Sequence, residues 1–130
     1  MHGQIRSRSY DDIIKMHETP TRFYERRKLG SNTYSTLDVI TRVITIRYHR
    51  TDVVRLAPDG QTEIYMGGWP TVTTRQRINA YIGAWSVYQK SHAQILHSYY
   101  RQVAGEPPLV IDPYTHYILD GYEITEGRID

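Results

Sequence analysis

An alternation of apolar and polar residues begins near residue 38. In residues 39–49, VITRVITIRYH, one face collects Ile40, Ile44, Ile46 and Tyr48, while the residues between them are mostly polar. This period of two is typical of a strand with one buried face. Arg42 is the exception on the apolar face, so we expect it near the edge of the strand.

A β-hairpin is predicted directly after this strand. Two apolar runs flank residues 58–60, Pro-Asp-Gly, which form a common turn sequence. With Gly60 in the left-handed position of a three-residue loop, charged and apolar residues match across the two strands. The expected pairs are Ala57 with Gln61, Arg55 with Glu63 and Val54 with Ile64.

A helical pattern follows the hairpin. Thr73 and Gln76 have the spacing of a capping box, which predicts Thr73 as the N-cap and a helix that starts at Thr74. The helix is expected to continue to about Gln89. Apolar residues at helical spacing then form a stripe that we interpret as core packing: Ile78, Tyr81, Ile82, Trp85 and Tyr88.

The rest of the chain divides into a helical start and a strand-rich end. Ser9 and Asp12 resemble a capping box, and residues 21–29 predict a second short helix with Gly30 as its C-terminal cap. Strands are expected over residues 93–100, 109–111, 114–119 and 122–124. The sum is an α+β fold, an antiparallel sheet of about five or six strands with one long helix packed on it. We expect residues 1–31 to form a helical N-terminal extension and residues 32–130 a single α+β domain.

Composition limits the chemistry and the compartment. The 130 residues contain no cysteine, which excludes disulfides, thiolate zinc sites and a cysteine nucleophile. No apolar run suggests a signal peptide or a membrane span, so we expect a cytoplasmic protein without a membrane partner. The formal charge is +2, and most of the positive charge is arginine, whose planar guanidinium suits phosphate and base stacking.

Arg75 and Arg77 lie at the predicted helix start, where the helix dipole disfavours positive charge. Because the hairpin register places Thr51 opposite Gly67, polar residues from distant segments are expected to converge there and to hold a phosphate or a carboxylate. The candidate ligand-binding residues are Arg47, His49, Thr51, Trp69, Thr71, Thr74, Arg75 and Arg77. In the alternative interpretation, the threonines shape the turn, Trp69 covers the core and the arginines pair with Asp52 or Asp59.

Catalytic patterns are weaker. His49 and Thr51 form half of the paired H-x-T/S arrangement of some phosphodiesterases, but neither His97 nor His116 is followed by the second half. Histidines and carboxylates show no metal-ligand spacing of known type. We therefore expect no catalytic residue, no metal and no cofactor.

The chain resembles a family of small bacteriophage-encoded proteins of unassigned function. The resemblance is carried by NTY at residues 32–34, IRYHRTDVV at 46–54, PDG at 58–60, GGWPTVTTRQRIN at 67–79 and LDGYEI at 119–124. It covers about residues 32 to 124, and the block at 67–79 is specific. This chain differs from the family pattern in an extended N-terminus and a longer insert around residues 105–114.

The resemblance implies a phage or prophage product that acts in the cytoplasm of a bacterial host. Together with the arginines, it favours an accessory protein that binds a nucleic acid or a nucleotide without catalysis. One alternative is a protein-interaction module that inhibits a host defence protein, since tyrosine and arginine are favoured at interface hot spots. A second alternative is a phosphodiesterase-like enzyme around His49. The sequence does not specify an oligomeric state.

Overall fold

The computed structural model describes residues 5–18 and 26–129. Each described helix is short, and strands dominate the chain. In chain order the elements are α1 (Tyr10–Glu18), β1 (Arg26–Gly30), β2 (Thr33–Leu37), β3 (Ile44–Tyr48), β4 (Thr51–Leu56), β5 (Thr62–Ile64), α2 (Val72–Asn79), β6 (Trp85–Lys90), β7 (Ala93–Ser98), α3 (Tyr99–Val103), β8 (Leu109–Ile111), β9 (Tyr117–Asp120) and β10 (Glu123–Glu126).

The larger sheet has seven antiparallel strands in the order β1-β2-β3-β4-β5-β9-β10. Its central hairpin has the predicted register, with Val54 opposite Ile64 and Arg55 opposite Glu63. Gly60 adopts a φ of 95°, which a residue with a Cβ rarely adopts, so the turn depends on this glycine. The hairpin prediction is therefore confirmed.

The smaller sheet has three strands in the order β6-β7-β8 and is inserted in the chain between β5 and β9. Both sheets contribute to one hydrophobic cluster, which also contains Ile13 of α1 and Ile78 of α2, both fully buried. The larger sheet supplies Ile44, Ile46, Val54 and Leu119, and the smaller sheet supplies Trp85, Val87, Leu96 and Ile111.

The predicted long helix is wrong. Helix α2 ends at Asn79, and strand β6 (Trp85–Lys90) replaces the last predicted turns of the helix, which were expected to run to about Gln89. The Asn79 side chain accepts the N–H of Val87 at 2.7 Å and donates to its carbonyl at 2.9 Å, which ties the helix end to the new strand. Gly83, with a φ of 63°, turns the chain between the two elements.

The expected fold class is wrong for the same reason. The described residues are mostly strand, with seven strands in one sheet and three in another, whereas the prediction was five or six strands under one long helix. At the N-terminus, α1 confirms the first predicted helix: the Asp12 N–H donates to Ser9 Oγ, and the Ser9 N–H donates to the Asp12 carboxylate.

The second predicted helix is wrong where it is described. Residues 26–30 form β1 and pair with β2 across the expected boundary at residue 31, while residues 21–25 lie outside the described part. The division of the chain at residue 31 stays a prediction.

The first predicted strand begins later than expected. Ile40 is 89% exposed, and Arg42 has a φ of 64° in a turn that precedes β3. The Asp38 carboxylate accepts the N–H groups of Ile40 and Thr41, which stabilises this turn against an extended chain. Burial therefore follows the alternation only from Ile44 onwards.

Candidate functional site

The start of α2 forms one wall of the candidate site. Thr71, with extended backbone angles, is the N-cap, and its Oγ1 accepts the N–H of Thr74 at 3.2 Å. The predicted N-cap, Thr73, is wrong by two residues, because the hydroxyl that accepts a first-turn N–H belongs to Thr71 and Thr73 already lies inside the helix. The N–H groups of Val72 and Thr73, in the first turn, have no acceptor within the helix.

The turn between β3 and β4 forms the opposite wall. His49 adopts a φ of 55°, and its N–H donates to the carbonyl of Asn32 at 2.9 Å. Thr51 then lies against Gly67, as the hairpin register predicted. A Cβ on Gly67 would lie 2.6 Å from Cγ2 of Thr51, so only glycine allows this close approach.

A cleft of about 730 Å³ separates these two walls, and we call it the Trp69 cleft. It is lined by Asn32, Tyr48, His49, Arg50, Thr51, Val53, Met66, Trp69, Thr71, Thr73 and Thr74. Among the predicted ligand-binding residues, it brings together His49, Thr51, Trp69, Thr71 and Thr74. The Trp69 side chain is 65% exposed, so it does not cover the core as the alternative interpretation expected.

Arg77 lies beside this cleft without lining it. The residue is 6% exposed, and its guanidinium carbon lies 4.6 Å from the ring centre of Tyr48, which lines the cleft. Its nitrogens donate to Thr33 Oγ1 at 3.4 Å and to the Ser31 carbonyl at 3.3 Å, and both distances are long for hydrogen bonds. Among the described residues, no carboxylate forms a salt bridge with it.

Arg75 points away from the cleft towards the smaller sheet. Its Nη1 donates to the Pro70 carbonyl at 3.0 Å and to the side-chain oxygens of Gln94 at 2.9 Å and Gln89 at 3.2 Å. These acceptors hold the start of α2 against β6 and β7. The structure therefore separates Arg75 from the residues that line the cleft.

Arg47 lies in a neighbouring groove of about 470 Å³, which we call the Tyr34 groove. Its Nε donates to the Asp52 carboxylate at 2.8 Å, and this hydrogen bond raises the pKa of the Arg47 guanidinium above its ordinary value. Asp52, expected as a partner of Arg75 or Arg77, pairs with Arg47 instead. The groove is lined by Arg26, Asn32, Tyr34, Thr36, Thr45, Arg47, His49 and Asp52.

Sequence reasoning missed several residues of these two sites. Arg26 lies over the Tyr34 ring, with 4.1 Å from its guanidinium carbon to the ring centre. Tyr48 and Arg50 line the Trp69 cleft on either side of His49. Tyr48 and Arg50 could have been predicted, because they flank the candidate residue His49 in the sequence. Arg26 could not be placed without recognising β1 as a strand.

The histidines do not assemble into a paired site. His49 lines the Trp69 cleft, but His116 bonds to the Glu63 carboxylate at 2.9 Å and stacks on Tyr65. Across the described residues, no three histidine or acidic side chains cluster as metal ligands would. Another depression, of about 640 Å³, lies near Arg8 and Tyr81 and contains none of the predicted site residues.

Comparisons with known proteins relate the chain to a protein family. In the described part of the chain, no helix has both the length and the apolar character to cross a membrane. No curated protein and no solved structure is significantly similar to the chain. A family model described as Kyanoviridae Gp96 protein matches residues 15–121, which is most of the chain and includes both grooves. The match agrees with the phage resemblance seen in the sequence, and the chain belongs to the Kyanoviridae Gp96 family of phage proteins.

Proposed function

We propose that this phage protein binds a phosphate-bearing ligand, a nucleotide or a nucleic acid, in the Trp69 cleft and does not transform it. The observation that carries the proposal is an exposed indole at the start of a helix whose first N–H groups have no acceptor within the helix. We expect the protein to act in the cytoplasm of the bacterial host, where phage genes are expressed.

The cleft has the groups that such a ligand requires. Its volume of about 730 Å³ lies within the common range for small-molecule sites, roughly 300–1,000 Å³. The ring of Trp69 offers a stacking surface for a base. The free N–H groups of the first turn and the guanidinium of Arg50 favour an anion. The guanidinium of Arg77 lies against the ring of Tyr48, which lines the cleft, so its positive charge also favours an anion there.

Binding without catalysis agrees with the side chains around His49. A phosphodiesterase of the paired type needs two histidines that act on one phosphate, one as base and one as acid. Among the described residues, His49 is the one histidine that lines the cleft, and His116 bonds elsewhere to Glu63. The hydroxyls of Thr51, Thr71 and Thr73 can orient a phosphate but do not replace a general acid.

Fluorescence titration tests the proposal directly. In a Trp85→Phe background, Trp69 is the remaining tryptophan, because the chain has two. Nucleoside monophosphates and short oligonucleotides should quench its emission as a base stacks on it. Arg50→Gln should weaken binding at least about fivefold through the loss of one charge-assisted contact. A matched control is Tyr99→Ala, an aromatic residue that is 67% exposed and lies on α3 outside the cleft.

The outcomes separate the proposal from its alternatives. Quenching that Arg50→Gln reduces and Tyr99→Ala does not would support the cleft as the site. No quenching by any nucleotide or oligonucleotide would contradict the proposal. Release of inorganic phosphate or cleavage of the ligand during the titration would instead favour the enzyme alternative around His49.

A protein-interaction module is the second candidate, since one segment exposes several apolar side chains. Residues of α3, β8 and their connection are largely exposed: Tyr99 67%, Tyr100 53%, Val103 69% and Val110 65%. Exposed apolar groups of this kind are common at protein interfaces. The test is purification from a bacterial host followed by mass spectrometry. A host protein retained by the wild type and lost with Val103→Asp would favour this candidate over nucleotide binding.

A further inference from the structure

Among the described residues, the C-terminal segment covers one side of the outer face of the larger sheet. Near β4 and β5, the buried Ile129 donates its N–H to the Glu63 carboxylate at 2.6 Å, and Arg55 donates to the Ile129 carbonyl. The Gly127 N–H donates to the His116 carbonyl, so the C-terminal segment lies along this part of the sheet. The outer face of β1, β2 and β3 has no such cover in the described residues.

The open part of the face alternates positive and aromatic side chains across three neighbouring strands. Arg26 of β1 lies over Tyr34 of β2, and Tyr34 is paired in register with Arg47 of β3. Since adjacent strands are about 4.8 Å apart, these side chains form a compact patch. The patch joins a stacking ring to the positive charge of Arg26 and to Arg47, whose charge is paired with the Asp52 carboxylate.

The Tyr34 groove continues into the Trp69 cleft. Asn32 and His49 line both, so the two depressions meet at the β3–β4 turn. A path therefore runs from the exposed Trp69, past His49, to Tyr34. Along it, the charged residues Arg50, Arg47 and Arg26 are positive, and the carboxylate of Asp52 is held by Arg47.

We propose that the ligand is a single-stranded nucleic acid that occupies both depressions, with one base on Trp69 and another against the stacked pair of Arg26 and Tyr34. This inference rests on the proposed function, because the same Trp69 cleft holds one end of the strand. A mononucleotide fills one depression and leaves the other empty. A duplex has its base faces already stacked, so it cannot use either ring, whereas a single strand uses both rings and the arginines between them.

The dependence of affinity on strand length tests this inference. The probes are 5′-fluorescein oligonucleotides of thymidine and of uridine, two to twelve nucleotides long, measured by fluorescence anisotropy with the full chain. Unlabelled thymidine monophosphate serves as the competitor for one depression. We expect affinity to rise at least about tenfold between two and eight nucleotides as the second ring and the arginines become engaged. The DNA and RNA probes differ in the 2′-hydroxyl and in the C5 methyl group of the base, and the tighter probe shows which of the two strands the protein prefers.

Variants of the Tyr34 groove make the test specific. Tyr34→Ala should weaken the eight-nucleotide strand at least about fivefold through loss of one stacking contact and leave monophosphate affinity unchanged. Arg26→Gln, a change at an exposed residue, should flatten the slope of log affinity against log salt by about 0.7. Tyr34→Phe keeps the ring and should bind like the wild type, and Tyr99→Ala is the control outside both depressions.

Three results would overturn the inference. The first is a monophosphate that binds as tightly as eight nucleotides, and the second is an eight-nucleotide affinity that neither Tyr34→Ala nor Arg26→Gln changes. Neither result contradicts binding in the Trp69 cleft, so the proposed function would still be decided by the Trp69 fluorescence titration. The third is tighter binding of the matched duplex than of the single strand. If neither monophosphate nor any strand binds, the proposed function fails together with the inference.

Discussion

Replacing Arg75 by methionine should destabilise the fold. Nη1 of Arg75 carries two hydrogens and has three acceptors within 3.2 Å, on Pro70, Gln89 and Gln94. Gln94 is 3% exposed, so its side-chain oxygen depends on this donor. Methionine keeps most of the aliphatic stem but donates no hydrogen bond.

The size of the effect follows from two opposing contributions. A buried acceptor without a donor costs about 1–3 kcal/mol. Removing a positive charge from the first turns of a helix returns about 0.3–1 kcal/mol, because that charge opposes the helix dipole. The free energy of unfolding of Arg75→Met should therefore fall by about 1–2 kcal/mol. For a chain of this length each kcal/mol corresponds to about 4 °C in Tm.

Urea unfolding followed by circular dichroism measures this difference, with Gln76→Met as the control, since Gln76 is exposed on the same helix. The control should change stability by less than about 0.5 kcal/mol. Combining Arg75→Met with Gln94→Leu removes both partners, so the double variant should lose less than the sum of the single losses. A midpoint for Arg75→Met equal to or above that of the wild type would refute the structural role of this arginine.

Two further variants probe the helix start and the N-terminal helix. Thr71→Ala should lower the free energy of unfolding by about 1 kcal/mol through loss of the N-cap, while Thr73→Ala should change it by less than about 0.5 kcal/mol; equal effects in urea would place the helix start elsewhere. Burial, and then the charge of Arg27, lower the pKa of His17, whose Nε2 lies 2.8 Å from Ser35 Oγ. Because the folded pKa is below the unfolded value near 6.5, this contribution to stability is present above pH 6.5 and is lost as pH falls through the lower folded pKa. His17→Gln should remove that part of the pH dependence, and a parallel loss in both proteins between pH 7 and pH 5 would contradict the assignment.

The sequence predicted the hairpin because its determinants are local. Gly60, two residues on each side and the cross-strand pairs are all contained in one short segment. The end of α2 could not be predicted in the same way. Ile78, Ile82 and Trp85 have the spacing of a helical stripe even though the helix stops at Asn79. The hydrogen bonds between Asn79 and Val87, eight residues apart, tie the end of α2 to β6, and residue spacing does not predict them.

The candidate site was predictable where turns fixed it and unpredictable where sheet order fixed it. The hairpin register alone brought Thr51 to Gly67 and thus the β3–β4 turn to the start of α2. Strand β1, RRKLG, has a charge-rich sequence that favours a surface helix. Its pairing with β2 places Arg26 over Tyr34, and no local sequence pattern predicts that contact.

The three predicted arginines have three different surroundings, and the difference explains which charge remains for a ligand. Arg75 is surrounded by oxygen acceptors, and Arg47 is neutralised by Asp52. Arg77 is buried against the ring of Tyr48 with two long hydrogen bonds and no carboxylate partner among the described residues. A buried charge without a counterion is costly, so an anion bound beside Tyr48 would lower that cost as well as gain its own contacts. Ligand binding in the Trp69 cleft and stability of the α2 start are therefore expected to be linked through this one guanidinium.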